Sequence, residues 1–317
     1  MYIGVDLGGT NIAVGLVDEA GKIIKSASTP TNAPRSAEEI AKDIAGLCKS
    51  ISEEAEAENL GKIEGIGVGV PGPVDEKLAS VYVCVNLGWD EVNLKAILEE
   101  MTDYPVFIDN DANLAALAEL EVGAFKGAQN AILFTLGTGV GGGVVTDGHI
   151  YRGSHGLGTE LGHLYMGENF YDCNCGKNGC LETFASATAI IKHAEKLIID
   201  KVYPESELNR LYNQHGLNAK AIFDCAKDGD ALAVIAVERY TKYLAAGIGN
   251  MINLLDPDVI ALGGGVAYAG EYLMNKINEK LPYFTLMKDK VSTELKFAAT
   301  GNDAGVIGAG MLAKTEL

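Results

Sequence analysis

Three thiols and one imidazole stand close together in this chain: His163, Cys173, Cys175 and Cys180. That is the ligand set of a closed, tetrahedral, structural zinc site. The cysteines follow the pattern CxCGxxGC, and Cys173 and Cys175 are too near in sequence for an unstrained disulfide. Gly176 and Gly179 let the backbone turn tightly enough to aim the sulfurs at one ion. Two carboxylates bracket the cluster, Glu160 before the histidine and Glu182 after the last cysteine. We read the ion as a pin rather than a reagent. It fixes a loop on which Glu160, His163 and Glu182 face a polar ligand, the carboxylates accepting hydrogen bonds from hydroxyl groups.

Three glycine turns each end a strand pattern. Asp6-Leu7-Gly8-Gly9-Thr10-Asn11 offers backbone amides and a hydroxyl to phosphate oxygens, and Asp6 could hold a hydrated Mg²⁺. Gly137-Thr138-Gly139-Val140-Gly141-Gly142 matches GxGxxG. The stretch running on from it, GVVTDGHIY, reads as a strand, so a dinucleotide fingerprint is excluded and a second phosphate nest fits. Gly263-Gly264-Gly265 precedes a helix, whose N-terminus could meet a nucleotide. Asp109-Asn110-Asp111 sits where a short buried strand runs into an alanine-rich helix. Either aspartate could take a proton from a hydroxyl nucleophile, the one acid–base service phosphoryl transfer needs. Either could equally cap the helix.

These residues need particular elements beneath them. Tyr2–Leu7, Asn11–Val17 and Lys22–Ser28 read as a β-meander. Ser36-Ala37-Glu38-Glu39 is a capping box, and Ile40, Ile44, Leu47, Ile51 and Ala55 continue at helical spacing. Strands come next at Ile63–Val70, Val81–Val85 and Val106–Asp109, with a short helix at Asn93–Met101. Ala131–Leu136, a glycine turn over 137–143 and a strand over 144–151 echo residues 2–17, which marks the start of a second, related domain. Beyond the cluster we expect helices at about 185–199 and 230–255. A polar, irregular piece runs to Gly216. A strand at 259–262, a helix near 271–280, a strand at 295–299 and a last helix over 303–313 complete the pattern.

The 317 residues are 48 % hydrophobic and 21 % charged, a globular composition long enough for two domains. The formal charge of −18 lacks the basic footprint of a nucleic-acid partner. Mean hydropathy is +0.12, but no apolar run reaches membrane-spanning length. The N-terminus enters a strand with no secretory pattern, and Cys48, Cys84 and Cys225 are scattered in apolar segments, as in a reducing compartment. The expectation is a cytoplasmic protein.

Taken in order, DLGGTNIAVGLVD, NLGW, NDAN, TLGTGVGGG, GLGTELGH, CNCGKNGCLE and LGGGV resemble the ROK family, in particular its bacterial glucokinases, from residue 2 to about 312. The resemblance implies an α/β, actin-like (ribonuclease H-like) ATPase fold, with two related domains around a cleft and a zinc-binding loop. It places one domain at 1–111 plus about 302–317, and a larger one at 112–301. It implies ATP-dependent phosphorylation of a hexose at the 6-hydroxyl, with Asp111 as the base and Asn110, Glu160, His163 and Glu182 as sugar contacts. Gly8, Gly9, Thr10 and Asn11 would meet phosphates, with Thr138 and Gly139 opposite, and Gly263 and Gly264 near the nucleoside. Zn²⁺, Mg²⁺ and a homodimer or homotetramer come with it. N-acetylmannosamine or N-acetylglucosamine are alternative substrates. A sugar-responsive repressor is the alternative of another class, disfavoured because the DLGGT hairpin begins at residue 6. Thr159 departs from the alanine or proline many members carry before the glutamate.

Overall fold

The computed structural model describes residues 1–75, 77–287, 290 and 292–317. In chain order, β1 (Tyr2–Leu7), β2 (Asn11–Val17) and β3 (Ile23–Pro30) lead to α1 (Ala37–Ala57) and β4 (Gly65–Val70). The pair β5 (Val81–Cys84) and β6 (Trp89–Val92), α2 (Leu94–Glu99), β7 (Val106–Asn110) and α3 (Asp111–Val122) come after them. Then come β8 (Ala131–Leu136), β9 (Val140–Thr146), β10 (His149–Ile150), α4 (Glu182–Ala185), α5 (Ala187–Ile199) and α6 (Glu207–His215). The chain closes with α7 (Ala219–Lys227), α8 (Ala231–Leu255), β11 (Val259–Gly263), α9 (Glu271–Phe284), β12 (Glu294–Phe297) and α10 (Ala304–Glu316).

Two compact units divide these elements. The first holds Met1–Gln129, Gly143–Thr159 and Ala298–Leu317. Its sheet has the order β3-β2-β1-β4-β7, with β1–β2 and β2–β3 antiparallel and β1–β4 and β4–β7 parallel. The period-two alternation of β1 decides which residues face which helix. Ile3, Val5 and Leu7 pack with Ile40, Ile44 and Ile51 of α1 in one fully apolar layer. Each such side chain contributes about 1.5–3 kcal/mol by leaving water. Tyr2, Gly4 and Asp6 fall on the other face, which α10 covers. The helix lies so close there that a Cβ on Gly4 or Gly67 would collide with the carbonyl oxygens of Val306 and Ala309.

One buried carboxylate ties α3 to the segment entering α10. Glu119 is fully buried. It accepts hydrogen bonds from the amides of Ala299 and Thr300 at 2.8–3.0 Å, from Thr300 Oγ1 at 2.6 Å and from the Ala124 amide at 2.6 Å. The expected domain boundary after residue 111 falls at the β7–α3 junction. The compact unit instead runs on to Gln129, because α3 packs along α10 within it.

The second unit holds Asn130–Gly142 and Glu160–Phe297. The second sheet has the order β10-β9-β8-β11-β12, with β8–β11 and β11–β12 parallel and β9–β10 antiparallel. Numbered within each sheet, both read 3-2-1-4-5, so the echo between residues 2–17 and 131–151 extends to whole sheets. The long helix α8 is the hub of this unit, packed by α4, α5, α7 and α9.

Four expectations change in detail. The strand expected from residue 144 begins at Val140, because the glycines after it are needed inside the ladder. A side chain on Gly142 would strike Leu161, and one on Gly143 would strike the Ala112 carbonyl. The helix expected from about 185 is α5, starting at Ala187; the extended Ser186 separates it from the one-turn α4, and its Oγ caps α5 by accepting from the Ala189 amide. The polar piece before Gly216 contains α6, capped by Ser206 and anchored by the fully buried Leu208. The third glycine turn leads first into a short 3-10 turn, Gly265–Ala269, bounded by Gly264 and Gly270 at φ 81° and 66°.

Candidate functional site

In the first unit the polar residues gather where β1 and β7 end. The Gly8 amide donates to the Asn11 carbonyl at 2.9 Å, closing the β1–β2 hairpin. Thr31, fully buried, donates from Oγ1 to the Gly8 carbonyl (2.7 Å) and from its amide to the Thr10 carbonyl (2.9 Å). Both hairpin carbonyls are thus held from the strand side. Gly9 runs beside Asn86, where a Cβ would press on the Asn86 side chain at 3.3 Å. Asp6 lies under the first turn of α10, with no room for a side chain on Gly305 against its carboxyl group. Burial raises its pKa above the ordinary aspartate range, the condition in which a carboxylate gains most from a nearby cation.

The two aspartates that the sequence left open have different surroundings. Asp109 is 2 % exposed. Its Oδ1 accepts from the Asn110 amide (2.7 Å) and from Asn113 Nδ2 (3.0 Å), and its Oδ2 accepts from Arg152 Nε (2.7 Å). Three donors, all supplied by the fold, hold that carboxylate. Asp111, the first residue of α3, is exposed, and its Oδ1 accepts from the Ala112 amide at 2.8 Å. Asn110 is the N-cap: its Oδ1 accepts from the Ala112 amide (2.9 Å), and its Nδ2 donates to the Gly72 carbonyl (3.2 Å). Asn113 and Arg152 have no signature in one dimension. A lone arginine in a glycine-rich stretch gives no hint that it pairs with an aspartate 43 residues earlier.

In the second unit the turn Gly137-Thr138-Gly139 is held on one side. Thr188 Oγ1 donates to the Thr138 carbonyl and the Ala187 amide to the Gly137 carbonyl, both at 2.8 Å. Among the described residues none accepts from the amides of Thr138 or Gly139. Glu182 Oε2 accepts from the Val140 amide at 3.0 Å and lies against Gly139, where any side chain would displace it. Its Oε1 is 3.6 Å from the Cys173 sulfur. One carboxylate therefore touches both the glycine turn and the cysteine cluster. Gly264 is pressed against the backbone of Leu136 and Gly263 pairs with Thr135, so both lie beside the strand end that leads into this turn.

The four candidate ligands come together. The ligating atoms of His163, Cys173, Cys175 and Cys180 all lie within 4.8 Å of one another. A tetrahedral ion with metal–sulfur bonds of about 2.3 Å spaces its sulfurs about 3.8 Å apart. The Cys175 and Cys180 sulfurs are 3.6 Å apart, and Cys173 Sγ is 3.8 Å from His163 Nδ1. The donor set and spacing fit zinc, with Nδ1 as the ligating nitrogen. His163 Nε2 is left over, 3.9 Å from Glu160 Oε2. Burial pushes the Cys173 thiol up to about 12, so ionising it at neutral pH calls for a cation beside it. Around the cluster the chain is nearly free of regular structure, the short 3-10 turn Leu161–His163 being the exception before α4. Asn178, which carries no signature in the sequence, ties it internally. Its Nδ2 donates to the Asn169 and Tyr171 carbonyls and to Asp172 Oδ1, while its Oδ1 accepts from the Asn169 amide.

Comparison with known proteins places this geometry. The model of the ROK family matches residues 2–316. A glucokinase of Halalkalibacterium halodurans is 42 % identical over 99 % of this chain and 95 % of its own. The crystal structure of a ROK family glucokinase from Streptomyces griseus, in complex with glucose and AMPPNP, superposes with a TM-score of 0.80 at 33 % identity, covering 99 % of both chains. A xylose repressor of Caldicellulosiruptor bescii is 28 % identical over 96 % of this chain and 76 % of its own.

Proposed function

Because the chain belongs to the ROK family and has the actin-like ATPase fold, we propose that it transfers the γ-phosphoryl group of ATP to the 6-hydroxyl of a hexose, glucose first among them. The observation that carries this reading is the contrast within Asp109-Asn110-Asp111. The buried carboxylate is spent on the fold, and the exposed one stands at a helix start, on a rigid base. Asp111 takes the proton as the sugar hydroxyl attacks the γ-phosphorus in line, and no covalent phospho-enzyme is required. Glu160, His163 Nε2 and Glu182 Oε1 hold sugar hydroxyls, with Asn110 contributing from the α3 start. The amides of Gly9, Thr10 and Asn11, with those of Thr138 and Gly139, receive phosphate oxygens, Gly8 shaping the turn with its amide bonded to the Asn11 carbonyl, and Gly263 and Gly264 border the nucleoside.

His163, Cys173, Cys175 and Cys180 would hold zinc, which would supply structure by neutralising the thiolates and fixing the loop. Asp6 is the one protein carboxylate we assign to Mg²⁺, which would supply charge neutralisation on the transferring phosphate. We read the protein as cytoplasmic and as a homodimer or homotetramer without a nucleic-acid partner. Six unpaired cysteines and a charge of −18 support that reading. Among the described residues no helix is long and apolar enough to cross a membrane.

The test is ADP release from MgATP over glucose, mannose, fructose, N-acetylglucosamine, N-acetylmannosamine and no sugar. Turnover selective for glucose is expected. Turnover on an N-acetyl sugar would keep the mechanism and change the substrate. ATP hydrolysis unaffected by any sugar would reject the proposal.

A further inference from the structure

Arg239, on α8, carries a charge the fold does not answer. Its guanidinium carbon is 4.8 Å from the Phe184 ring centroid, 5.2 Å from that of Tyr243 and 5.8 Å from that of Phe170. Its hydrogen-bond partner is Asn169, whose Oδ1 accepts from Nη2 at 2.8 Å. No carboxylate pairs with it among the described residues. A guanidinium has five N–H donors, so most of the fork is unused. The aromatic faces offset part of the charge but accept none of the in-plane hydrogen bonds. Burial accordingly holds its pKa below the ordinary arginine value.

Its surroundings do not supply the missing charge. The neighbouring Glu238 is engaged by Lys276 at 2.9 Å and Lys280 at 2.7 Å, and Glu279 faces Lys276 at 3.6 Å. Those two carboxylates and two lysines cancel. Lys242, exposed one turn along α8, has no carboxylate partner among the described residues. His193 Nδ1 is buried without a hydrogen-bond partner among them. Burial, then the charges of Arg239 and Lys196, push this imidazole down to about 4, so it is neutral at pH 7. On a chain of net charge −18, Arg239 and Lys242 thus form a local positive excess. Both line a pocket of about 730 Å³ whose other lining residues are the aromatic Tyr243, Tyr283 and Phe284 and the ion-paired Glu238, Glu279 and Lys280.

We propose that this pocket binds a small phosphate-bearing anion, its oxygens taken by Arg239 and Lys242 and its body lying on the aromatic wall. Phosphate matches the planar fork of arginine. The volume falls in the range of small-molecule sites, about 300–1,000 Å³, so there is room for an organic portion. The pocket is wired to the cysteine loop. Asn169, which holds Arg239, also donates from Nδ2 to the Thr183 carbonyl at 2.8 Å, next to Glu182. An anion that draws Arg239 outward pulls on that link.

The experiment is equilibrium binding of labelled inorganic phosphate, and separately of a labelled hexose 6-phosphate, to the full chain at low salt. Excess unlabelled ADP and hexose fill the catalytic residues. We expect saturable binding that Arg239→Met weakens about tenfold or more, the usual worth of a charged hydrogen bond. Arg239 also props Asn169, so Lys242→Gln, on an exposed side chain, is the second variant, expected to weaken binding about threefold or more. Tighter binding of the ester than of inorganic phosphate supports the aromatic wall as part of the site. Equal binding of the two supports a site that reads the phosphate alone. No binding by the wild-type chain, or binding unchanged in both variants, overturns the proposal.

Discussion

The residues around Asp111 and the residues around His163 solve one problem, holding polar groups still, in opposite ways. Asp111 sits on continuous regular structure. A parallel strand delivers the chain, Asn110 caps the helix, and the buried Asp109 is locked by Asn113 and Arg152. Each group is fixed by hydrogen bonds the fold itself provides. Glu160 and His163 stand in a stretch with almost no regular structure. Their position rests on turn contacts, the Asn178 cross-ties and a four-ligand cluster spaced for an ion. The comparison teaches that precision comes either from secondary structure or from a cross-link. Losses on the two sides should therefore look different. On the first side chemistry fails while the fold persists, and on the second position fails first.

The largest expected effect falls on the first side. Asp111→Ala should lower kcat by about 10²–10⁴-fold, with zinc content and hexose binding unchanged, because the exposed carboxylate supports little of the fold. Steady-state kinetics with calorimetric hexose titration checks it. Near-normal turnover would remove Asp111 as the base. On the second side, Cys175→Ser, or zinc stripped by a chelator, should lower kcat/KM for the hexose about 10²-fold, the order expected for a misplaced binding group. ADP binding should persist, and the 160–181 loop should become protease-sensitive. An intact, protected loop without metal would break the comparison, since the turns alone would then suffice.

Between these lies Glu182, which touches both the glycine turn and the cluster. Glu182→Gln keeps the shape and removes the charge from the hydrogen bond to the Val140 amide. A charge-assisted bond is worth about 1.5–3 kcal/mol, so kcat/KM should fall about tenfold, with KM rising for both ATP and hexose. A change in the hexose KM alone would show that the contact with the turn carries no coupling.

Legibility in the sequence divides along the same line. The four candidate metal ligands were readable because they fall within eighteen residues of one another and are chemically rare. The β1–β2 hairpin, the capping box at Ser36 and the paired sheets were readable because periodicity and turn residues are local signals. Asp109 could not be told from Asp111, since the difference between them is Arg152, distant in sequence and silent until the chain folds. Helix α6 was hidden because its composition is polar and Leu208 alone anchors it in the core. Asn178 looked like any loop asparagine, although its side chain makes four hydrogen bonds.

The smallest expected effect concerns Thr159, the residue before Glu160. It is β-branched, yet its φ is 65°, in the left-handed region where a non-glycine residue costs about 1–2 kcal/mol. Its Oγ1 donates to Asn113 Oδ1 at 3.4 Å, a long bond that returns little of that cost. Thr159→Gly removes the strain but adds about 0.5–1 kcal/mol of unfolded-state entropy, so the net gain should be no more than about 1 kcal/mol in denaturant unfolding. Asn113 stays held by Asp109 through its amide, so turnover should be unchanged. If the glycine variant gains no stability and loses hexose affinity, the strained threonine is what aims Glu160. Backbone strain would then join the ion as a means of holding this side.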